Sequence, residues 1–275
     1  MPQRVASSDG VDLALHHFGG TGPTLMICHA SGFHANCYRP MMAHFTAHFD
    51  VWGMDFRGHG ASTPANDGSF AWTGFAQDLL HSIDHIGADT VKVFGHSMGG
   101  ASTLLAEKMR PGLVEAAWLY EPIIFPPSIV PRNSQMAEAA KHRRSEFPSK
   151  ADAMMRYASR PPFSLVRADA LAAYVNWGFH ENDDGTVALA CKPEYEAATF
   201  NGANTYVDDI AGLNVRAVIA HGSSIQDPSP AAFAGPTAEA LPNGELLEYS
   251  DLTHLGPFEN PARIANAAMT FLTSP

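Results

Sequence analysis

The sequence contains few cysteines and few basic residues. Its 275 residues include three cysteines, Cys28, Cys37 and Cys191, and no CxxC pair, which argues against a disulfide framework and gives no sign of a zinc site. Lysine and arginine together number 17 against 28 acidic residues, for a net charge of −11. Nucleic acids and anionic membrane surfaces both require a positive field, so neither is an expected partner.

Long hydrophobic runs are also missing. No stretch of about 18 consecutive apolar residues is present to span a membrane, and the first ten residues, MPQRVASSDG, lack the apolar segment of a secretory signal. We therefore expect a soluble protein, and the scarcity of cysteine favours the reducing cytoplasm. Hydrophobic residues still make up 45% of the chain, which is enough to bury a full core.

Short apolar segments that end in Gly, His or Asp recur along the chain and alternate with segments of helical spacing. This alternation predicts an α/β fold with a mainly parallel, eight-stranded sheet that is covered by helices on both faces. The opening segment, with Ser-Asp-Gly at 8–10, predicts an antiparallel hairpin at the sheet edge. The other predicted strands are 24–30, 50–56, 90–96, 114–122, 215–222 and 245–251, and the predicted helices are 38–49, 73–86, 98–109 and 261–272.

The alternation stops between about residues 123 and 214. Ninety residues are too many for a structureless loop in a compact domain, so this segment must have elements of its own. Its patterns are mostly helical, with a turn or small hairpin at 180–191. We predict a helical cap over 123–214, inserted into a core domain formed by 1–122 and 215–275.

The stretch GHSMG at 95–99 matches G-x-S-x-G, in which a serine sits on a sharp turn between a strand and a helix. Such a turn brings backbone close to the residues two before and two after the serine, and Gly95 and Gly99 remove the clash that side chains would cause there. The helix that begins at Met98 directs free N–H groups at the space above the Ser97 hydroxyl. These features predict Ser97 as a nucleophile.

Over essentially its full length the chain resembles the α/β-hydrolases, in particular the serine-nucleophile branch with a helical cap. Besides the serine motif, CHASGFHANCY (28–38) is similar to the oxyanion loop of that family. GMDFRGHGAST (53–63) is similar to the family's D-x-R-G-x-G-x-S turn, and LTHLGPFENP (252–261) to its catalytic-histidine loop. The resemblance implies a hydrolase with no cofactor and a small-molecule substrate.

His254 is the predicted general base, since it follows a strand and lies in a loop near the C-terminus, after the serine in chain order. The acid has two candidates. The usual aspartate position, three residues after a glycine, holds Ile225, and Asp227 follows two residues later. Glu121 stands at the end of the predicted strand 114–122, where some haloalkane dehalogenases and the zearalenone lactonase-type hydrolases have their acid. We favour Glu121 and keep Asp227 as the alternative.

The predicted oxyanion hole consists of two backbone N–H groups, one from Met98 and one from Ser31. The family's His-Gly-X is His29-Ala30-Ser31 here, so the amide of Ala30 is an alternative to that of Ser31. We expect His29 and His96 to form hydrogen bonds within the site without transferring protons.

Aromatic residues of the cap region, together with Phe33 outside it, predict an apolar roof over Ser97. Phe33, Tyr157, Trp177 and Phe179 are the candidate substrate-binding residues, which favours a hydrophobic acyl or alcohol group over a sugar or a phosphate. His81 and His85 are four residues apart on a predicted helix, but a third ligand is not evident in the sequence, so we predict no metal site.

The predicted function is hydrolysis of a carboxylic ester or lactone of a fairly hydrophobic small molecule through a serine acyl-enzyme. A serine at 97 argues against epoxide hydrolases and haloalkane dehalogenases, which need an aspartate nucleophile. Alternatives on the same triad are a carbon–carbon hydrolase acting on vinylogous diketones and a cofactor-free perhydrolase. A binding protein or receptor of the same fold is a further alternative, and a homodimer is left open.

Overall fold

The computed structural model describes residues 1–129, 135–223 and 230–274. Within these ranges the strands are β1 (Gln3–Ala6), β2 (Asp12–Gly19), β3 (Thr24–Cys28), β4 (Asp50–Asp55), β5 (Val91–His96), β6 (Val114–Tyr120), β7 (Glu146–Phe147), β8 (Phe179–Glu181), β9 (Val187–Leu189), β10 (Arg216–Gly222) and β11 (Asn243–Tyr249). The α-helices are α1 (Arg39–Phe45), α2 (Trp72–Ile86), α3 (Met98–Met109), α4 (Gln135–Lys141), α5 (Lys150–Ala158), α6 (Ala168–Trp177), α7 (Pro193–Asn201), α8 (Val207–Ile210), α9 (Ala234–Ala240), α10 (Gly256–Glu259) and α11 (Pro261–Thr273). None of these described helices is both long enough and apolar enough to cross a membrane.

Eight strands form the central sheet in the order β1-β2-β4-β3-β5-β6-β10-β11. The β1–β2 and β2–β4 pairs are antiparallel, and all the other neighbours pair in parallel. The predicted mainly parallel, eight-stranded sheet is therefore confirmed. Parallel strands end at the same edge of a sheet, so the loops that follow β3, β5, β6 and β10 meet there.

Two apolar clusters cover opposite faces of this sheet. The first packs α2, α3 and α9 against one face, and the second packs α1 and α11 against the other. All six residues of β5 are buried because helices cover both of its faces. Its neighbouring side chains Val93 and Phe94 belong to different clusters, as the two-residue period of a strand requires. Ser97 directly follows β5 and is therefore attached to a rigid, buried strand.

Between β6 and β10 the chain leaves the sheet and forms helices α4 to α8 together with a small antiparallel sheet in the order β7-β9-β8. The Trp72 indole N–H donates to the Thr199 carbonyl at 2.9 Å, and the Arg167 N–H donates to the Phe258 carbonyl at 3.0 Å. Side chains of this segment also belong to the same apolar cluster as α1 and α11. We keep 123–214 as the proposed extent of a cap and 1–122 with 215–275 as the proposed core.

Candidate active site

Ser97 occupies a strained turn between β5 and α3. Its φ of 56° and ψ of −119° lie where residues other than glycine are rarely found. The Ser97 N–H donates to the Tyr120 carbonyl at 2.9 Å, so the adjacent strand holds this conformation. A Cβ on Gly99 would lie 2.2 Å from the Cys28 carbonyl oxygen, and one on Gly95 would lie 2.9 Å from the Cα of Gly100. Only glycine fits at these two positions, as the motif predicts.

The structure brings His254 and Glu121 together. The Nδ1 atom of His254 donates to Oε2 of Glu121 at 2.5 Å, which leaves Nε2 of the same ring as the free acceptor. The Glu121 side chain is buried, and its other oxygen, Oε1, accepts from the Gly222 N–H at 2.7 Å. A buried carboxylate with both oxygens engaged can fix the tautomer and orientation of a catalytic imidazole.

The competing acid, Asp227, lies outside the described residues, as does Ile225 at the usual aspartate position. Glu121 itself is in the left-handed region with a φ of 44°. Its N–H donates to the Ala220 carbonyl of the neighbouring β10 at 2.7 Å, so the turn after β6 is fixed by the next strand of the sheet. This turn directs the carboxylate toward the histidine loop.

Two further histidines are buried beside the site and are held as neutral rings. Burial lowers the pKa of His96 well below its usual value, and burial lowers that of His29 to about 3. The Nε2 of His96 donates to the His254 carbonyl at 2.8 Å, and its Nδ1 accepts from the Tyr38 hydroxyl at 2.9 Å. The Nδ1 of His29 donates to the Ala30 carbonyl, and its Nε2 accepts from the Phe56 N–H. Both rings position neighbouring backbone.

The two candidate amides of the oxyanion loop differ in their partners. The Ala30 N–H donates to the Tyr38 hydroxyl at 3.3 Å, whereas the Ser31 N–H has no partner within the described residues. Met98 is the first residue of α3, so its N–H has no acceptor within the helix. Among the candidate amides, those of Ser31 and Met98 are thus the ones without a protein acceptor in the described part of the chain.

Three of the aromatic residues predicted to bind substrate belong to one cluster of rings. Phe33 packs on Phe258 with 4.8 Å between ring centroids and on Tyr174 with 5.3 Å. Tyr174 in turn contacts the rings of Tyr157 and Phe179 at 5.5 and 6.3 Å. The cluster joins the candidate oxyanion loop to helices and strands of the segment between β6 and β10.

The structure does not bring Trp177 into this cluster. Its side chain is 51% exposed, and its ring lies 4.8 Å from the guanidinium carbon of Arg39. Trp177 is the last residue of α6, and its ring packs on the exposed side chain of Arg39. The aromatic composition of the segment could not distinguish inward-facing from outward-facing rings.

Sequence reasoning missed a buried ion pair next to the oxyanion loop. Nη1 of Arg143 donates to Oε2 of Glu196 at 2.5 Å, and the two side chains are only 18% and 11% exposed. In the sequence Arg143 stands in the short basic run KHRR, which has the pattern of a solvated helix end. Glu196 is 53 residues away, so the sequence held no local signal of the contact.

The strand order and the strand-to-helix turn at Ser97 define the class, an α/β protein with a hydrolase-type fold. The model of the alpha/beta hydrolase fold family matches residues 23–225, and the chain belongs to this family. The resemblance found from the sequence motifs is thereby confirmed.

Similar proteins include two whose names describe hydrolysis of related succinates. The chain is 32% identical to (E)-2-((N-methylformamido)methylene)succinate hydrolase of Acinetobacter baylyi, in an alignment covering 36% of this chain and 38% of that protein. The chain thus matches less than two-fifths of the length of that relative. A solved structure of E-2-(acetamidomethylene)succinate hydrolase superposes with a TM-score of 0.83 at 20% identity and covers 100% of this chain and 99% of that one. A bifunctional esterase/perhydrolase of Acinetobacter calcoaceticus is 23% identical over 98% of this chain and 99% of its own.

Proposed function

We propose that this protein is a serine hydrolase that cleaves a carboxylic ester or lactone of a partly hydrophobic small molecule. The observation that carries the proposal is the placement of Ser97 on a strained turn, together with the bond between the buried Glu121 carboxylate and His254. Family membership supports hydrolysis in general, and esterase and hydrolase names among the similar proteins agree with it. The ring cluster around Phe33 and Tyr157 supports an apolar part in the substrate.

In the proposed mechanism His254, oriented by Glu121, accepts the proton of the Ser97 hydroxyl while the serine oxygen attacks the substrate carbonyl. The amides of Ser31 and Met98 stabilise the negative charge that forms on the carbonyl oxygen. His254 then gives the proton to the leaving alcohol, and the carbon–oxygen bond of the ester breaks. A water molecule, deprotonated by the same histidine, then attacks the acyl carbonyl; the bond to the Ser97 oxygen breaks, His254 returns the proton to that oxygen, and the acid is released.

A second candidate is hydrolysis of an amide-type carbonyl on an enamine nitrogen. Both succinate hydrolases named above act, by their names, on acylated aminomethylene succinates. The same nucleophile, base and oxyanion donors would serve such a substrate, because acyl transfer to serine is common to esters and amides. A panel of esters, lactones and N-acyl enamines distinguishes the two candidates.

A fluorophosphonate probe tests the proposal directly, because it labels an activated serine covalently. We expect labelling of the wild type, and we expect Ser97→Ala to abolish both labelling and turnover of p-nitrophenyl butyrate. Ser102→Ala is a matched control on the same helix, since the Ser102 hydroxyl is buried and donates to the Met98 carbonyl. Absence of labelling in the folded wild type would favour a binding protein over an enzyme.

A further inference from the structure

The ion pair between Arg143 and Glu196 has no role in the mechanism above. Both side chains are largely buried, and removing two charges from water costs several kcal/mol per ion. An apolar pair of the same volume would be no less stable in many proteins, so a buried pair is by itself weak evidence of a stabilising role. The alternative explanation for the buried pair is that the function of the protein requires a charged group at this place.

The pair lies against the oxyanion loop. A Cβ built on Gly32, the residue after Ser31, would be 2.4 Å from Oε1 of Glu196 and 3.5 Å from Nη1 of Arg143. With standard bond lengths and Cα spacing, Nη1 is therefore at most about 9 Å from the Cα of Ser31. A small molecule with its reacting carbonyl at the Ser31 amide is long enough to reach the guanidinium with a group a few carbons away.

Some N–H groups of the Arg143 guanidinium have no hydrogen-bond partner within the described residues. Both N–H bonds of its Nη2 are directed at hydroxyls, that of Tyr157 at 3.0 Å and that of Tyr174 at 2.7 Å. Since the two hydroxyl oxygens act as acceptors there, their own protons remain available to a ligand. Nε of Arg143 has no partner within the described ranges of the chain, and the same is true of Oε1 of Glu196. Free donors outnumber free acceptors, and buried donors of this kind call for an acceptor ligand.

The pair also borders a shallow surface depression of about 250 Å³ between α4 and α7. Apart from Arg143 and Glu196, its lining is mostly apolar and consists of Met136, Ala139, Ala140 and Phe200. Such a combination suits a ligand with an apolar body and one charged end.

We propose that Arg143, together with the hydroxyls of Tyr157 and Tyr174, binds a free carboxylate on the substrate. The preferred substrates are then esters or lactones of amphipathic acids that keep one ionised carboxylate a few carbons from the reacting carbonyl. Glu196 positions the guanidinium through its bond to Nη1, and the free Nε–H together with the protons of the two tyrosine hydroxyls supplies the donors that a carboxylate accepts. The inference rests on the proposed function.

The test compares two esters that differ in one charge, p-nitrophenyl hydrogen adipate and p-nitrophenyl methyl adipate. We expect the wild type to have the higher kcat/KM on the anionic ester. Arg143→Met should lower the ratio of anionic to neutral kcat/KM by about 10- to 100-fold, mainly through KM, which is the usual size of a hydrogen bond to a charged group. Equal kcat/KM for the two esters in the wild type would overturn the proposal.

Arg144→Met is the matched control, because Arg144 is the next residue and its guanidinium carbon lies 4.6 Å from the ring centre of Phe147. It should keep the wild-type ratio. If Arg143→Met instead lowers kcat/KM equally for both esters, Arg143 has only a structural role and the proposal is wrong. Should that variant fail to fold, Tyr157→Phe and Tyr174→Phe are each expected to lower the ratio by about 3- to 10-fold, and an unchanged ratio in both would refute the carboxylate site.

Binding of adipate, measured by titration calorimetry, separates this inference from the proposed function. Adipate should bind the wild type and lose affinity in Arg143→Met, whether or not the protein turns over esters. If adipate binds in this way but Ser97→Ala hydrolyses both esters as fast as the wild type, the anion site stands and the serine mechanism fails. If Ser97 is required and adipate does not bind, the serine mechanism stands and the anion site fails.

Discussion

Glu121 holds a backbone conformation that costs a residue other than glycine about 1 to 3 kcal/mol. The Tyr120 carbonyl, one residue earlier, accepts the Ser97 N–H, and the Glu121 N–H donates to β10. The end of β6 thus supports the turn at Ser97 and also carries the carboxylate that bonds to His254. Strained backbone conformations cluster at active sites, and the conformation of Glu121 fits this pattern.

The acid assignment predicts a large effect of Glu121→Gln. The amide keeps the size of the side chain but cannot stabilise a protonated His254, so kcat on p-nitrophenyl butyrate should fall by roughly 10³- to 10⁴-fold. Asp227→Asn is the matched control and should lose less than about threefold under the same assay. The opposite pattern, with Glu121→Gln near wild type and Asp227→Asn impaired, would assign the role to Asp227.

At this scale the sequence led to residues in local motifs, whose catalytic roles stay predictions, and it missed residues that meet only through the fold. Ser97 and His254 stand in recognisable loops, and the spacing of Glu121 from Ser97 indicated its position. Arg143 lies in the turn after α4 and Glu196 lies on α7. Because they are far apart in the chain, no spacing rule could predict their contact. Their contact depends on Gly32, whose missing side chain leaves the room.

Individual strands and helices of the core lie near their predicted positions, because each has a strong hydrophobic periodicity and a clear terminating residue. Strand β5 and helix α3 flank the serine motif as expected. The helix predicted over 38–49 is shorter, because a 3₁₀ turn precedes it and the chain must turn back into β4 at Asp50. The two-residue strand β7 could not be predicted, because a segment of that length has no period.

The D-x-R-G-x-G-x-S turn after β4 joins three elements through one buried arginine. Nε and Nη2 of Arg57 donate to the two oxygens of Asp78 on α2 at 2.9 and 2.8 Å. Nη1 and Nη2 also reach Asp9 and Ser8 in the turn between β1 and β2. The N-terminal hairpin is thereby fixed to the sheet and to α2.

Asp78→Asn should therefore destabilise the protein strongly. It leaves the buried Arg57 without its main counterion, and breaking a buried pair in this way costs about 3 to 5 kcal/mol. Asp84→Asn, on the same helix, removes the partner of Arg110 in a pair that is 53% and 43% exposed, so its cost should stay below about 1 kcal/mol. The measurement is the free energy of unfolding in urea, and equal effects of the two variants would contradict the role given to Arg57.

At the scale of the whole molecule, buried histidines connect stability to pH. Burial lowers the pKa of His29, His34, His59 and His96 in the folded protein. Because these rings stay neutral in the native state while the unfolded chain takes up protons near pH 6.5, acid favours unfolding. The stability they support is present above about pH 6.5 and is lost as the pH falls toward the folded-state value, which for His29 is about 3.

We expect the urea midpoint to drop steeply between pH 7 and pH 5. Each histidine that stays neutral contributes up to about 1.4 kcal/mol per pH unit below its unfolded pKa. His59→Phe should reduce the dependence of the free energy of unfolding on pH by the equivalent of about one proton. A midpoint that is constant over this range would show that the buried rings do not control acid stability.

The apolar cluster that α1 and α11 form with the sheet also contains Phe147, Leu171 and Tyr174 from the segment after β6. No separate core of comparable size holds that segment together in the described part of the chain, where the remaining cluster around Ala137 and Ala197 is small. Exchanging this segment for that of another hydrolase would thus expose or overfill one side of the sheet. New specificities in this protein are more readily reached by single side-chain changes along the shared interface than by recombination of whole segments.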